Sequence, residues 1–169
     1  MPITPAANLS LLWSELPYLD RFDAAAEAGF GAVEVLFPYD IPAKETQRAL
    51  LRNGLTLALI NAPPPNYTGG QPGFAAIPGG EARFAHDMRR VWRYVEALRP
   101  RMVHVMAGEA EGPAAAEAFV ANLRNAAAEA PPERAPRLLQ PWQSFWLGGG
   151  AQCSGPCLPA PSLRQPCLA

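Results

Sequence analysis

Gly29-Phe30-Gly31-Ala32-Val33-Glu34-Val35-Leu36-Phe37-Pro38-Tyr39 is the stretch whose reading decides the fold. Two glycines punctuate it at the front and a proline stops it at the back, so the apolar, β-branched run between them reads as a buried strand. Side chains alternate along a strand, which groups Glu34 with Ala32 and Leu36 and sets Val33, Val35 and Phe37 on the opposite face. A carboxylate inside such a run needs a partner, a proton or a ligand, because burying it alone is costly.

Working outward, the same pattern recurs. Residues 3–10 form a weak strand signal with Asn8 and Ser10 on one face. Ser14 is placed to cap a helix running to Ala28, buried through Leu19, Phe22 and Ala26 and closed by Gly29. After the organising strand, residues 41–53 read as a helix with Pro42 near its start and Gly54 past its end. Residues 55–61 are a second apolar run, with Leu55, Leu57, Leu59 and Asn61 expected on one face. A long Pro- and Gly-rich connection, residues 62–80, follows, and a connection of that length is expected to be functional or disordered. Glu81 to Leu98 has a helical stripe of Phe84, Met88, Val91, Val95 and Leu98, with His86 on the polar side. Residues 101–108 give a fourth strand, with Met102, His104 and Met106 on one face, and residues 113–129 a fourth helix.

Strand and helix alternate four times, which implies a parallel sheet with right-handed crossovers. Short turns precede the strands and longer loops follow them, the arrangement of a (β/α)8 barrel with its site at the C-terminal strand ends. Asn8, Glu34, Asn61 and His104 each lie near such an end, and convergence of these four is the functional expectation. Four units make half a barrel. Exposed edges and an uncovered interior are then expected to promote self-association.

The chain accordingly divides into residues 1–130, the N-terminal half of a barrel domain, and an irregular tail, residues 131–169. The tail holds eight prolines, three cysteines and one acidic residue, with no valine or isoleucine, and no strand is legible in it. Such a composition is what an out-of-frame read through GC-rich DNA, or an alternative terminus, would produce. Cys153, Cys157 and Cys167 all fall there with no histidine nearby, so incidental thiols are expected rather than a metal site.

Fifteen acidic against fourteen basic residues give a net charge of −1, which argues against a nucleic-acid surface. No run approaches a membrane span and the N-terminus lacks a signal-peptide pattern, so a soluble, cytoplasmic protein is expected.

Ala7 to Ser10 (ANLS), Ala28 to Tyr39 (AGFGAVEVLFPY), Leu57 to Pro64 (LALINAPP), Ile77 to Gly79 (IPG) and Val103 to Gly108 (VHVMAG) resemble the N-terminal half of hydroxypyruvate isomerase. That family includes the 2-oxo-tetronate isomerases, within the xylose-isomerase-like TIM barrels. The resemblance covers about residues 3–130. It implies an aldose–ketose isomerase that interconverts small hydroxy-oxo acids, such as hydroxypyruvate and tartronate semialdehyde, through an enediol. It also implies two catalytic glutamates and a divalent metal, Mg or Mn, supplied by strands of a second half. Glu109, Glu111 and Glu129 stand in the wrong context to replace those glutamates, so this chain is expected to be inactive alone. By the same resemblance His104, Asn61 and Asn8 would contact substrate, and Glu34 would support them. The loop at 62–80 would cover the site, with Gly69, Gly70, Gly73 and Gly79 giving mobility, while Met102 and Met106 would fill the barrel. A non-catalytic half-barrel is the alternative. A metal-dependent apurinic-site endonuclease is disfavoured by the two histidines and the acidic balance.

Overall fold

The computed structural model describes residues 3–63, 72–132 and 136–139. Its strands are β1 (Ala6–Asn8), β2 (Ala32–Val35), β3 (Thr56–Asn61), β4 (Met102–His104) and β5 (Arg137–Leu139). They form one sheet in the order β1-β2-β3-β4-β5, every neighbouring pair parallel. The crossovers are α1 (Asp20–Glu27), α2 (Ala43–Arg52), α3 (Glu81–Leu98) and α4 (Gly112–Glu129), with a 3₁₀ turn at Pro38–Asp40 between β2 and α2. None of these helices is long and apolar enough to cross a membrane.

One face of the sheet carries the core. Ala7, Val33, Val35, Leu57, Ile60 and Val103 are buried there against Phe22, Leu50, Met88, Val91 and Val95 of the helices. At about 25 cal/mol per Å² of apolar surface removed from water, this layer is the main favourable term in folding. The α3 stripe read from the sequence is buried in full and gains Trp92.

Three expectations need correction. The helix after β1 begins at Asp20 rather than near Ser14, and its N-cap is Leu19 without a side-chain bond. Pro17 explains this, because it lacks an amide and disfavours helical backbone at Leu16. The intervening turn is instead held by Arg21, whose guanidinium donates to the carbonyls of Leu9, Ser14 and Leu16 at 2.9, 3.1 and 3.0 Å.

The second correction concerns β3. Val33 pairs with Leu57 but Glu34 pairs with Leu59, so Ala58 is an extra residue opposite the Val33–Glu34 step. Side chains alternate with period two, so this bulge reverses the face of everything after it. Leu55 and Leu57 therefore join the core, whereas Leu59 and Asn61 face the other way with Glu34.

The third is β5. It lies within residues 131–169, where no strand was legible, and it pairs with β4 through Met102–Arg137 and His104–Leu139. Three residues are too short to show a periodicity, and strand addition to an existing edge needs little from the sequence. Residues 140–169, including the three cysteines, lie outside the described residues.

Candidate functional site

The face opposite the helix-packed core carries the four polar residues in two rows. Asn8 is the ladder partner of Glu34, and Glu34 of Leu59. Asn61 is the partner of His104, two residues further along β3 and β4. At about 3.3 Å per residue the second row lies about 6.6 Å nearer the C-terminal strand ends. The four thus share a face, as expected, but as two separate pairs.

The lower pair is closed. Asn8 Nδ2 donates to Glu34 Oε1 at 2.7 Å. Asn8 Oδ1 accepts from the Ser10 amide at 3.0 Å, and Ser10 Oγ accepts from the Leu36 amide at 2.9 Å. The Leu9 amide donates to the Glu34 carbonyl at 2.9 Å. Glu34 is therefore satisfied in the folded chain, in a network that ties the end of β1 to β2.

The upper pair is open. Asn61 is buried, and its Oδ1 has no hydrogen-bond donor among the described residues. His104 is half-buried and its side chain makes no hydrogen bond among the described residues. Burial lowers the pKa of the imidazole from its ordinary 6.5, so the ring is neutral at neutral pH, with one N–H to donate and one nitrogen to accept. The backbone here is tied down: the Asn61 amide donates to the Leu36 carbonyl at 2.9 Å, and the Ala62 amide to the His104 carbonyl at 2.7 Å. An unpaired acceptor beside a neutral imidazole on a fixed frame suits a small ligand with a hydroxyl to donate and a carbonyl to be bonded.

The loop after β3 is anchored in its described part rather than mobile. A Cβ on Gly73 would run into the Met106 carbonyl, and one on Gly108 into the Gly73 carbonyl. These glycines permit two loops to touch backbone to backbone, the use of glycine for close approach. The Ala76 amide donates to the Ala107 carbonyl at 2.7 Å, and buried Asn122 of α4 donates to the Ala75 carbonyl at 2.9 Å. Gly79 has a positive φ of 81° in the turn before α3. Gly69 and Gly70 lie outside the described residues. Met106 lines a small cavity under this loop with Pro63, Phe74 and Asp87. Burial raises the Asp87 pKa, with Arg83 opposing the shift from 3.3 Å. His86 is exposed, as its place on the helix predicted.

Sequence reading missed Ser10 and Arg21, which brace the β1 end, and Tyr39, which reaches the Asn61 backbone. Asn8 was a legible signal for the turn, since an asparagine side chain readily accepts from the amide two residues on, whereas the Ser10 hydroxyl meets the Leu36 amide 26 residues away and gave none. Arg21 gave none, because its partners are carbonyls in a turn.

No group of three or more His, Cys, Asp or Glu side chains comes together among the described residues. The face holds one carboxylate, already engaged, and one imidazole, so the described residues do not fit a metal centre by themselves.

The parallel β/α order, the site face and the polar strand ends define a barrel of one class. The chain belongs to the xylose isomerase-like TIM barrel family, whose sequence model matches residues 22–152. That range runs past residue 130, where the resemblance read from the sequence ended. The chain is 48% identical to 2-oxo-tetronate isomerase of Cupriavidus necator over 103 residues, 61% of this chain and 40% of the relative. It is 34% identical to hydroxypyruvate isomerase of Escherichia coli over 148 residues, covering 85% and 57%. A crystal structure from Brucella melitensis titled AP endonuclease, family 2, superposes with a TM-score of 0.75 at 42% identity, covering 82% of this chain and 54% of that one. The chain spans about half the length of the curated relatives it matches.

Proposed function

We propose that this chain carries the substrate-orienting half of an isomerase for small hydroxy-oxo acids of the hydroxypyruvate and 2-oxo-tetronate type. The observation that carries the reading is the open Asn61–His104 pair at the C-terminal ends of β3 and β4. In the conversion of hydroxypyruvate to tartronate semialdehyde, a proton leaves C3 and one is delivered to C2, while the C3 hydroxyl proton passes to the C2 oxygen. Neutral His104 donates to the C2 carbonyl oxygen and stabilises the negative charge that develops there. Asn61 Oδ1 accepts from the C3 hydroxyl and holds the C3–H bond in position. Asn8 and Glu34 support the face from below without touching the reacting atoms.

The base that takes the C3 proton, and any Mg or Mn ion, would come from outside the described residues. General-base catalysis is worth about 10²–10⁴-fold, so residues 1–169 alone should not turn over hydroxypyruvate measurably. We place the protein in the cytoplasm, with no nucleic acid or membrane as partner. Self-association is the second reading, favoured by the outer edge of β1, which has no strand beside it among the described residues. An endonuclease, as the Brucella structure is named, is disfavoured because a net charge of −1 provides no overall attraction to a phosphate backbone.

The test is addition of hydroxypyruvate to the purified chain while the His104 ring protons are followed by NMR. The reading expects saturable shifts at His104 that disappear in Asn61→Leu. Turnover by the chain that survives His104→Ala would refute it.

A further inference from the structure

Pro38 and Tyr39 end the organising stretch, and the Asn61–His104 pair does not account for them. In a parallel ladder, a residue whose amide donates to the carbonyl of residue i accepts, at its own carbonyl, from the amide of residue i+2. The Asn61 amide donates to the Leu36 carbonyl at 2.9 Å, so the next bond belongs to the amide at position 38. Position 38 is proline and has no N–H. The bond is made instead by a side chain: the Tyr39 hydroxyl donates to the Asn61 carbonyl at 2.6 Å, with both residues buried.

Tyr39 is itself held from α3. Arg90 donates to the Tyr39 carbonyl at 3.0 Å and lies 5.0 Å from the centroid of its ring. The Tyr94 hydroxyl donates to the Tyr39 and Ile41 carbonyls at 3.2 and 3.0 Å, and its ring meets that of Tyr39 edge-on at 4.9 Å. A ladder amide would have tied Asn61 to β2 alone. The hydroxyl ties it through the 3₁₀ turn to α3, whose Arg90 and Tyr94 lie 51 and 55 residues beyond Tyr39.

We infer that Tyr39 is a positioning residue for Asn61: its hydroxyl replaces the ladder amide that Pro38 lacks and fixes the strand end from which Asn61 presents its free Oδ1. Its value to catalysis rests on the reading of Asn61 given under Proposed function, whereas the positioning itself does not.

The experiment uses the full chain and compares Tyr39→Phe, Pro38→Ala and the double variant. Pro38→Ala returns an N–H to position 38, so the ladder bond becomes available when the hydroxyl is lost. Tyr39→Phe should move the Asn61 side-chain amide and His104 ring resonances and speed exchange of the Ala62 amide about tenfold, the equivalent of about 1.4 kcal/mol for one lost buried bond. The double variant should return these signals most of the way to wild type. A general loss of packing would not be rescued by a residue smaller than proline. If Tyr39→Phe is unfolded by circular dichroism, recovery of a folded spectrum in the double variant carries the same meaning. Unchanged Asn61 signals in Tyr39→Phe, or a double variant no better than Tyr39→Phe, would overturn the inference. Hydroxypyruvate added to the wild type separates the two readings: no shift at His104 counts against the function and leaves the positioning result standing.

Discussion

At the lower row of the sheet face Asn8 and Glu34 close on each other at 2.7 Å, while in the next row, among the described residues, Asn61 Oδ1 has no donor and the His104 side chain makes no hydrogen bond. Both are polar pairs at strand ends on the same face of one sheet, and sequence pattern ranks them alike. Their energetics are opposite. The lower pair satisfies the hydrogen-bonding needs of a carboxylate that would otherwise be expensive to bury, and so stabilises the empty protein. The upper pair leaves a buried acceptor unmet, which costs stability until a donor arrives. A ligand site is where a fold can sustain such a cost, because binding recovers it.

The contrast breaks most decisively in activity. In a fusion of residues 1–139 to the second half-barrel of a relative, His104→Ala should lower turnover about 10²–10³-fold, the usual loss for one well-placed oxyanion donor. Glu34→Gln should change turnover little and lower the melting temperature. Steady-state kinetics on the two variants decides the matter, and equal losses in kcat would erase the distinction between the rows.

Deleting Ala58 tests how the register of β3 is kept. Without this extra residue Leu57 and Leu59 become neighbours, so regular alternation keeps Leu57 in the core and Asn61 on the site face. Cooperative unfolding by circular dichroism and an unchanged His104 resonance are expected. A deletion variant that loses cooperative unfolding would show that the bulge does more than offset one residue in the register.

Single substitutions sharpen the comparison further. Asn8→Ala leaves Glu34 without its donor and should cost about 1 kcal/mol, less than a fully buried orphan because the carboxylate is partly solvated. Asn61→Leu removes an unmet acceptor at similar volume and should be neutral or stabilising. Urea titration measures both, and a destabilising Asn61→Leu larger than Asn8→Ala would contradict the assignment of the open pair.

The smallest effect is the pH response. His104 has a folded pKa below its ordinary 6.5 because burial disfavours the charged ring. Between the folded pKa and 6.5 the unfolded chain binds more protons, so stability rises with pH across that window. The contribution is complete above pH 6.5 and is lost as the pH falls toward the folded pKa. His104→Gln should flatten this part of the stability profile, and an unaltered slope would mean that another group carries it.

The sequence by itself determined the alternation of strands and helices, the parallel sheet, the helix-packed face through Val33 and Val35, and the positions of the polar residues Asn8, Glu34, Asn61 and His104 within their strands. These follow from local periodicity and from Gly and Pro punctuation. Gly29 and Gly54 take positive φ where helix-ending glycines were read. Tertiary structure decided the rest. The bulge at Ala58 depends on the register against β2, which no single strand encodes. β5 exists because β4 offers an edge to pair with. The division into a closed and an open pair depends on which side chains stand at the same ladder position, and the Tyr39 bond to Asn61 on a proline in the neighbouring strand. Each is a relation between segments distant in the chain, and a periodicity read along one segment carries no information about its partner.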